Sequence, residues 1–513
     1  MAARTGEQYL QGLREAQAEI WLGGERIADV TAHPATRRAA RSVAHLYDMQ
    51  HDPALAGAMT YPSPTSGEPV GLSFLTPRTR EDLARRRVMM KHWADYSGGM
   101  MGRSPDYLNS AVMAMAAAGE FFAGNDPRHA DNIRTYYEQI RERDLCLTHT
   151  LINPQANRSK TVGEQADPFL AAGIVEESDR GLLIRGARML ATLAPFADEI
   201  QVFPSTVLRA GGPNIERYSF AFAIPCNTPG LRFLCRESYD LGRSHFDHPL
   251  ASRFEEIDAV VVFDDVTVPW ERVFLKGDPE RCNAVFGATN AVIHMMHQVV
   301  TKNVAKTEFL LGIACSLVDT IQVDQFQHVQ EKLAEIIINL EVMKACLRAA
   351  EADAQLDQWG VMTPARWPLD VARNLYPRLY PRMKEILQQL GASGLMATPT
   401  EADFAGPVGD DVRRYLAAAN ADARERVKLF RLAWDVACSS FGGRQELYER
   451  FFFGDPVRMA GALYAGYDKA PYMERIRQFL DRDDQEDETL AAGATGRDPS
   501  DARELTGAPG DDL

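Results

Sequence analysis

Apolar residues recur at three- and four-residue spacing through the first 145 positions, as in TREDLARRRVMMKHWADYSGG, PDYLNSAVMAMAAAGEFF and ADNIRTYYEQIRERDL. That is the period of helices with one buried face. Between 146 and 282 the period shortens. GLLIRGARMLA, EIQVFPSTVL, RYSFAFAIP, GLRFLCRES and AVVVFDDVTVPWERVFL are β-rich runs divided by Gly, Pro, Asn and Asp, which predicts a compact barrel or a pair of stacked sheets. Helical spacing returns from 283 to 480. In FQHVQEKLAEIIINLEVMKACLRAAEAD, residues Val329, Leu333, Ile336, Leu340, Met343 and Leu347 form one apolar stripe, while Ile337 and Ile338 lie on another face. Such a helix packs on two sides, within the subunit or across an oligomer interface. Residues 481–513 are acidic, rich in Gly and Ala and nearly free of large apolar side chains, the composition of a disordered tail.

The chain therefore reads as α+β: an N-terminal helical domain (1–145), a β domain (146–282), a C-terminal four-helix bundle (283–480) and the tail (481–513). The same order occurs in the acyl-CoA dehydrogenase fold, where a flavin lies between β domain and bundle; at this point that is analogy.

Composition narrows the function more than the fold. Over 513 residues, 45% hydrophobic and 25% charged positions are ordinary for a globular protein. A formal net charge of −15 disfavours nucleic acid, because phosphate binding needs a basic surface. The N-terminus lacks a signal-peptide core and no run of about 18 apolar residues follows, so a cytoplasmic protein with no membrane contact is expected. Cys146, Cys226, Cys235, Cys282, Cys315, Cys346 and Cys438 are odd in number and never closely paired. They suggest reduced, buried thiols in a reducing compartment.

The usual nucleotide and nucleophile signatures are absent: no GxGxxG after a strand, no GxxxxGK[ST] loop, no GxSxG elbow. His294 and His297 sit three apart on a predicted helix, but no carboxylate or Cys stands at ligand spacing, so core packing is favoured over metal binding. Two segments carry more information. GGMMGRSPDYLN places Arg103 and Tyr107 four apart beyond a Gly-rich turn, a cation and a phenol donor suited to an anionic, oxygen-rich group. Taken alone, the residues fit an ordinary helix cap with a surface Arg slightly better. LCLTHTLINPQANRSK opens the β region with His149 and a polar loop whose donors suit a phosphate or a flavin edge, or simply a turn-rich connector.

Five blocks in order, MGRSPDYLN, LTHTLINPQANR, GARMLATLAPFADE, FDDVTVPWERVF and SSFGGRQELYERFFFGDPVR, resemble the signatures of the 4-hydroxyphenylacetate 3-monooxygenase oxygenase family and span nearly the whole chain. The resemblance implies the acyl-CoA dehydrogenase-like fold, a homotetramer, FAD used as diffusible FADH2, O2 as co-substrate, no metal, and a separate NAD(P)H:flavin reductase. It assigns Arg103, Tyr107 and His149 to the phenolic oxygen of a small aromatic substrate. It assigns His149, Thr150, Asn153, Gln155, Arg158, Thr192, Ser440, Phe441, Gly442, Gly443 and Arg444 to flavin binding.

In such enzymes a flavin C4a-hydroperoxide transfers oxygen ortho to the hydroxyl of a 4-substituted phenol. Arg103 would favour the phenolate, and His149, with a pKa expected near working pH, would take its proton. Water must be kept out, or the oxidant decays to H2O2. Ser205 and Thr206, in FPSTVLRAGGPNIERYSF, are candidates for binding a substrate carboxylate, though the rest of that loop matches no known specificity. The alternatives are an acyl-CoA dehydrogenase-like flavoenzyme and an FAD-dependent hydroxyacyl-CoA dehydratase relative. Members of the dehydratase branch place cysteines where this chain has Arg103 and Tyr107. A non-enzymatic helical assembly protein would bind no flavin.

Overall fold

The computed structural model describes residues 3–154, 156–204, 208 and 212–494, with side chains left undescribed at 483–489 and 491–494. Residues 1–456 form one compact unit and 457–513 a second. In the first unit the main helices are α1 (Gly6–Ala16), α2 (Arg37–Asp48), α3 (Arg80–Tyr96), α4 (Asp106–Ala117) and α5 (Pro127–Glu142), followed by α6 (Pro279–Ala288), α7 (Ala291–Thr320), α8 (Gln327–Ala352), α9 (Arg366–Met396), α10 (Ala423–Ala437) and α11 (Ser440–Phe451). Their starts are set locally. Thr5, Thr79 and Asp422 each build a capping box with the side chain three residues on, satisfying amides that the first turn leaves free.

The strands are β1 (Glu19–Leu22), β2 (Glu25–Ile27), β3 (Thr60–Pro62), β4 (Pro69–Gly71), β5 (Leu147–Thr150), β6 (Gly173–Ser178), β7 (Gly181–Thr192), β8 (Glu199–Val202), β9 (Phe220–Pro225), β10 (Leu231–Cys235), β11 (Asp258–Val268) and β12 (Val273–Lys276), with a short pair, β13 (Gln355–Leu356) and β14 (Met362–Thr363), within the bundle region. They form a six-stranded sheet, β2-β1-β10-β11-β7-β6, and a four-stranded sheet, β12-β9-β8-β5, with β3 and β4 pairing apart. Phe222 of one main sheet meets Phe263 of the other edge to face at 6.1 Å. The β region is thus two stacked sheets. One edge departs from the sequence reading: EIWL, within the segment read as helical, is β1 and pairs in parallel with β10. Four residues were too few to show a period against flanking helices.

The bundle forms around α7, whose residues from Ile293 to Thr307 are all buried, because α3, α4, α8 and α9 all pack on it. On α8, Val329, Ile336, Leu340, Met343 and Leu347 are buried and Leu333 is partly so, while Ile337 and Ile338 are 46% and 61% exposed. The stripe holds, and its second face is open in the single chain. Helix α9 carries Pro377 and Pro381 and leaves helical geometry at Ala392.

The second unit contains helices Pro456–Gly466 and Ala470–Ala494. The latter continues past residue 481, where the disordered tail was expected to begin; residues 495–513 lie outside the described set. Among the described residues, no helix is long and apolar enough to cross a membrane.

Candidate functional site

The turn between α3 and α4 carries the first site residues. Gly99 takes a left-handed φ of 71°, and a Cβ there would collide with Lys306 of α7, so the turn needs glycine. Gly102 lies so close to Tyr448 of α11 that a Cβ there would enter the ring. Helix α4 then begins after Pro105, with Arg103 buried just before it and Tyr107 buried in its first turn.

The Arg103 guanidinium lies 4.1 Å from the Tyr107 ring centroid, 5.5 Å from that of Tyr448 and 5.3 Å from that of Phe452. Its Nη2 donates to the Phe452 carbonyl at 3.4 Å, whereas Nε and Nη1 are buried without partners. Burial opposes the charge, but Tyr107, Tyr448 and Glu256 outweigh it and hold Arg103 a firm cation. Beside Tyr107, Asp106 accepts from Ser104 at 2.6 Å and Gln298 at 3.2 Å, and burial pushes its carboxyl up to about 7.

His149 comes from β5, the edge strand of the smaller sheet, with its ring centroid 6.0 Å from that of Tyr107 and 5.8 Å from that of Phe203. Its Nδ1 is buried and unpartnered. Burial first, and the Arg103 cation second, hold its pKa well below the ordinary histidine value. This corrects the expectation of a histidine titrating near working pH: here the imidazole is neutral, because charge would be buried beside another cation. Arg103, Tyr107 and His149 are therefore brought together, as their blocks suggested.

The segments expected to hold flavin divide into two groups. Thr192 donates to Asp258 at 2.7 Å, and Arg444 grips the same carboxylate through Nε and Nη2 at 3.0 and 2.7 Å. Arg444 also donates to Glu256 at 2.7 Å, whose other oxygen accepts the Arg103 amide at 2.7 Å. Glu256 and Asp258 thus tie the LAT, FGGR and GRSPDY blocks together. Burial works against the Asp258 carboxylate, but Arg444 and Arg236 hold it well below the usual range. On the strand side, Thr148 donates to the Thr192 carbonyl at 2.7 Å, Thr150 to Met189 at 2.9 Å, and Asn153 accepts from the buried Arg188 at 2.6 Å. Phe441 and Gly442 are buried, but Ser440, Gly443 and Arg158 are exposed. Gln155, Ser205 and Thr206 lie outside the described residues. The Ser205–Thr206 loop is flanked by buried Phe203 and by Leu208, whose backbone is gripped by Asn283 at 2.9 and 2.8 Å.

Sequence reasoning missed Glu256, Asp258, Tyr448 and Phe452. The signals were there: EEID sets three carboxylates at the mouth of an apolar strand, and Tyr448 and Phe452 stand four apart on one helix face. Surface clefts of about 570 Å³ near Ile321–Lys332 and 630 Å³ near Glu401–Arg424 contain none of these residues. Among the described residues, no group of three or more His, Cys, Asp or Glu has metal-holding geometry.

A buried cluster with unpartnered donors on Arg103 and an unpartnered ring nitrogen on His149 is costly unless a ligand with a polar oxygen completes it. Comparison with known proteins gives that ligand a context. The family model described as 4-hydroxyphenylacetate 3-hydroxylase N terminal matches residues 5–275, and its C-terminal counterpart matches 282–481. The chain belongs to the 4-hydroxyphenylacetate 3-hydroxylase family. Family relatives include the 4-hydroxyphenylacetate 3-monooxygenase oxygenase components of Geobacillus sp. (strain PA-9), 53% identical over 94% of this chain and 97% of that protein, and of Thermus thermophilus, 52% identical over 93% and 97%. An HpaB oxygenase component solved with FAD and 4-hydroxyphenylacetate superposes with a TM-score of 0.90 at 52% identity, covering 94% of this chain and 99% of that one. An archaeal 4-hydroxybutyryl-CoA dehydratase, 20% identical with a TM-score of 0.84 over 93% and 95%, shares the fold alone.

Proposed function

We propose that this chain is the oxygenase component of a two-component monooxygenase that hydroxylates a 4-substituted phenol ortho to its hydroxyl, with FADH2 and O2 as co-substrates. The observation that carries it is the cluster of Arg103, Tyr107 and His149, buried and with free donors, in a chain half-identical to such components over nearly its full length. The residues suit the flavin: Thr192 and Arg444 are held by one carboxylate, and the sequence from Thr150 to Arg158 is rich in polar side chains. Reduced flavin, when bound, supplies the activated oxygen.

The protein's own part is charge, orientation and dryness. Arg103 Nη1 receives the phenol oxygen and favours its anionic form, since a fixed cation in a low-dielectric site acts strongly on developing negative charge. Tyr107 orients the ring. His149 is neutral, so its unpartnered Nδ1 is available to accept the phenol proton as the anion forms against Arg103; the approaching anion offsets the two influences that depress its pKa. Ser205 and Thr206, which lie outside the described residues, remain the proposed partners for the acid end of the substrate on sequence grounds. Tetrameric assembly, which would cover Ile337 and Ile338, and a separate flavin reductase complete the reading.

The dehydrogenase and dehydratase alternatives are not favoured, because the dehydratase likeness reaches the fold only. The deciding experiment supplies purified protein with chemically reduced FAD, oxygenated buffer and 4-hydroxyphenylacetate, and measures 3,4-dihydroxyphenylacetate and H2O2. Catechol formation is expected. Oxidation of FADH2 yielding only H2O2 across a panel of 4-substituted phenols would reject the reading.

A further inference from the structure

Behind the phenol cluster lies a group of charges that the reaction does not touch. Lys302 and Lys306, one turn apart on α7, both donate to the same oxygen of Glu449 on α11, at 2.5 and 2.6 Å. Lys306 also donates to Gln445 at 2.8 Å, and Gln445 in turn donates to the Met100 carbonyl at 2.9 Å. All three charged side chains are at most 2% exposed. Glu449 Oε2 has no partner. Two cations sharing one carboxylate leave one positive charge in excess, an expensive thing to bury when apolar side chains would fill the same space.

The lysine pair and Arg103 share the same two aromatic neighbours, Tyr448 and Phe452. Tyr448 and Phe452 stack with centroids 4.6 Å apart. Lys302 Nζ is 5.5 and 5.1 Å from their centroids, and Arg103 Cζ is 5.5 and 5.3 Å from the same two. Aromatic rings exclude water and ions, so little screening acts between the buried cations they border, and Arg103 bears directly on Lys302.

We propose that Lys302, Lys306 and Glu449 act as positioning residues of charge, setting the electrostatic potential at Arg103 and with it the acidity of the phenol bound there. The inference rests on the reading of Arg103 as the phenol site. The groups facing Lys306 are Glu449 and Gln445 from α11, Tyr380 from α9, Glu256 from the segment before β11, and Lys302 on its own helix, while Lys302 in turn faces Arg103 from the turn and Tyr376 from α9. Burial pushes Lys306 down to about 8, with Glu449 opposing. The excess charge therefore falls away as pH rises through that value, and phenol binding weakens with it.

The test uses 4-nitrophenol, whose anion is coloured, bound to the full-length protein with and without FAD and titrated optically. In the wild type its apparent pKa should fall below that of the free phenol. Lys306→Met should raise it by roughly one pH unit and Glu449→Gln should lower it by a similar amount, the scale of one charge acting at about 10 Å in a protein interior. Lys306→Arg should match the wild type. Opposite signs from two variants of one trio cannot arise from loosened packing. Lys306→Gln, close in size and still able to hydrogen-bond, gives the same sign should the Met variant fail to fold. Shifts of the same sign, or none, overturn the proposal while the phenol site stands. A wild type that leaves the 4-nitrophenol titration unchanged rejects both.

Discussion

At the residue scale, the proposed chemistry turns on a cation and a neutral imidazole that burial keeps in different states. Arg103 stays charged because aromatic faces and Glu256 surround it, and His149 stays neutral because the same burial has no carboxylate to offset it. His149→Ala should lower catechol formation by about 100-fold or more, the range for loss of a general base, while reduced FAD binds as before. Equal loss of both, measured by product assay and by flavin titration, would make His149 a flavin or packing residue. Arg103→Lys keeps the charge but loses the planar fork; H2O2 should rise relative to catechol, and unchanged coupling would remove Arg103 from the transfer step. Asp258→Asn leaves Arg444 and Arg236 short of a counter-ion. Its urea-unfolding stability should drop by about 2 kcal/mol, below the range for a fully buried pair because Asp258 keeps some solvent contact.

At the element scale, the site exists because four chain segments converge: the turn before α4, strand β5, the start of β11 and helix α11. Their meeting points are close backbone approaches and shared carboxylates. Gly102→Ala would drive a methyl group into the Tyr448 ring. It should cost about 1–3 kcal/mol by thermal or urea unfolding, as overpacking does, and should raise H2O2 release, because Tyr448 and Phe452 frame Arg103. A variant as stable and as coupled as wild type would show that α11 tolerates displacement. The α8 stripe is a separate matter: it packs the bundle together.

For the whole molecule, the buried histidines dictate the response to acid. His129 is pushed down to about 4, and His149, His294 and His297 are also lowered, each chiefly by burial. Their folded pKa values lie below those of the unfolded chain, so the unfolded state binds more protons as pH falls. The stability they contribute is full above about 6.5 and is lost below it, by about 1.4 kcal/mol per pH unit for each histidine. Asp106, raised to about 7, acts in the opposite sense over the same range and cancels roughly one of them. The melting temperature should therefore fall steadily between pH 6.5 and 4.5, and His294→Asn should flatten that slope. A melting temperature independent of pH there would mean the histidines are not held neutral.

Hydrophobic period determined the order of the layers, since 3.6-residue and alternating patterns are properties of local backbone geometry that a chain carries with it. The family blocks likewise marked Arg103, Tyr107 and His149, three side chains that the fold brings into one buried cluster. Tertiary structure alone decided the rest. It drew the EIWL segment into a sheet by pairing it with a strand more than 200 residues away. It also joined Thr192 to Arg444 through Asp258, and it made His149 neutral by burying it beside Arg103. Pairing partners, shared counter-ions and local dielectric arise between segments distant in sequence, and no local pattern records them.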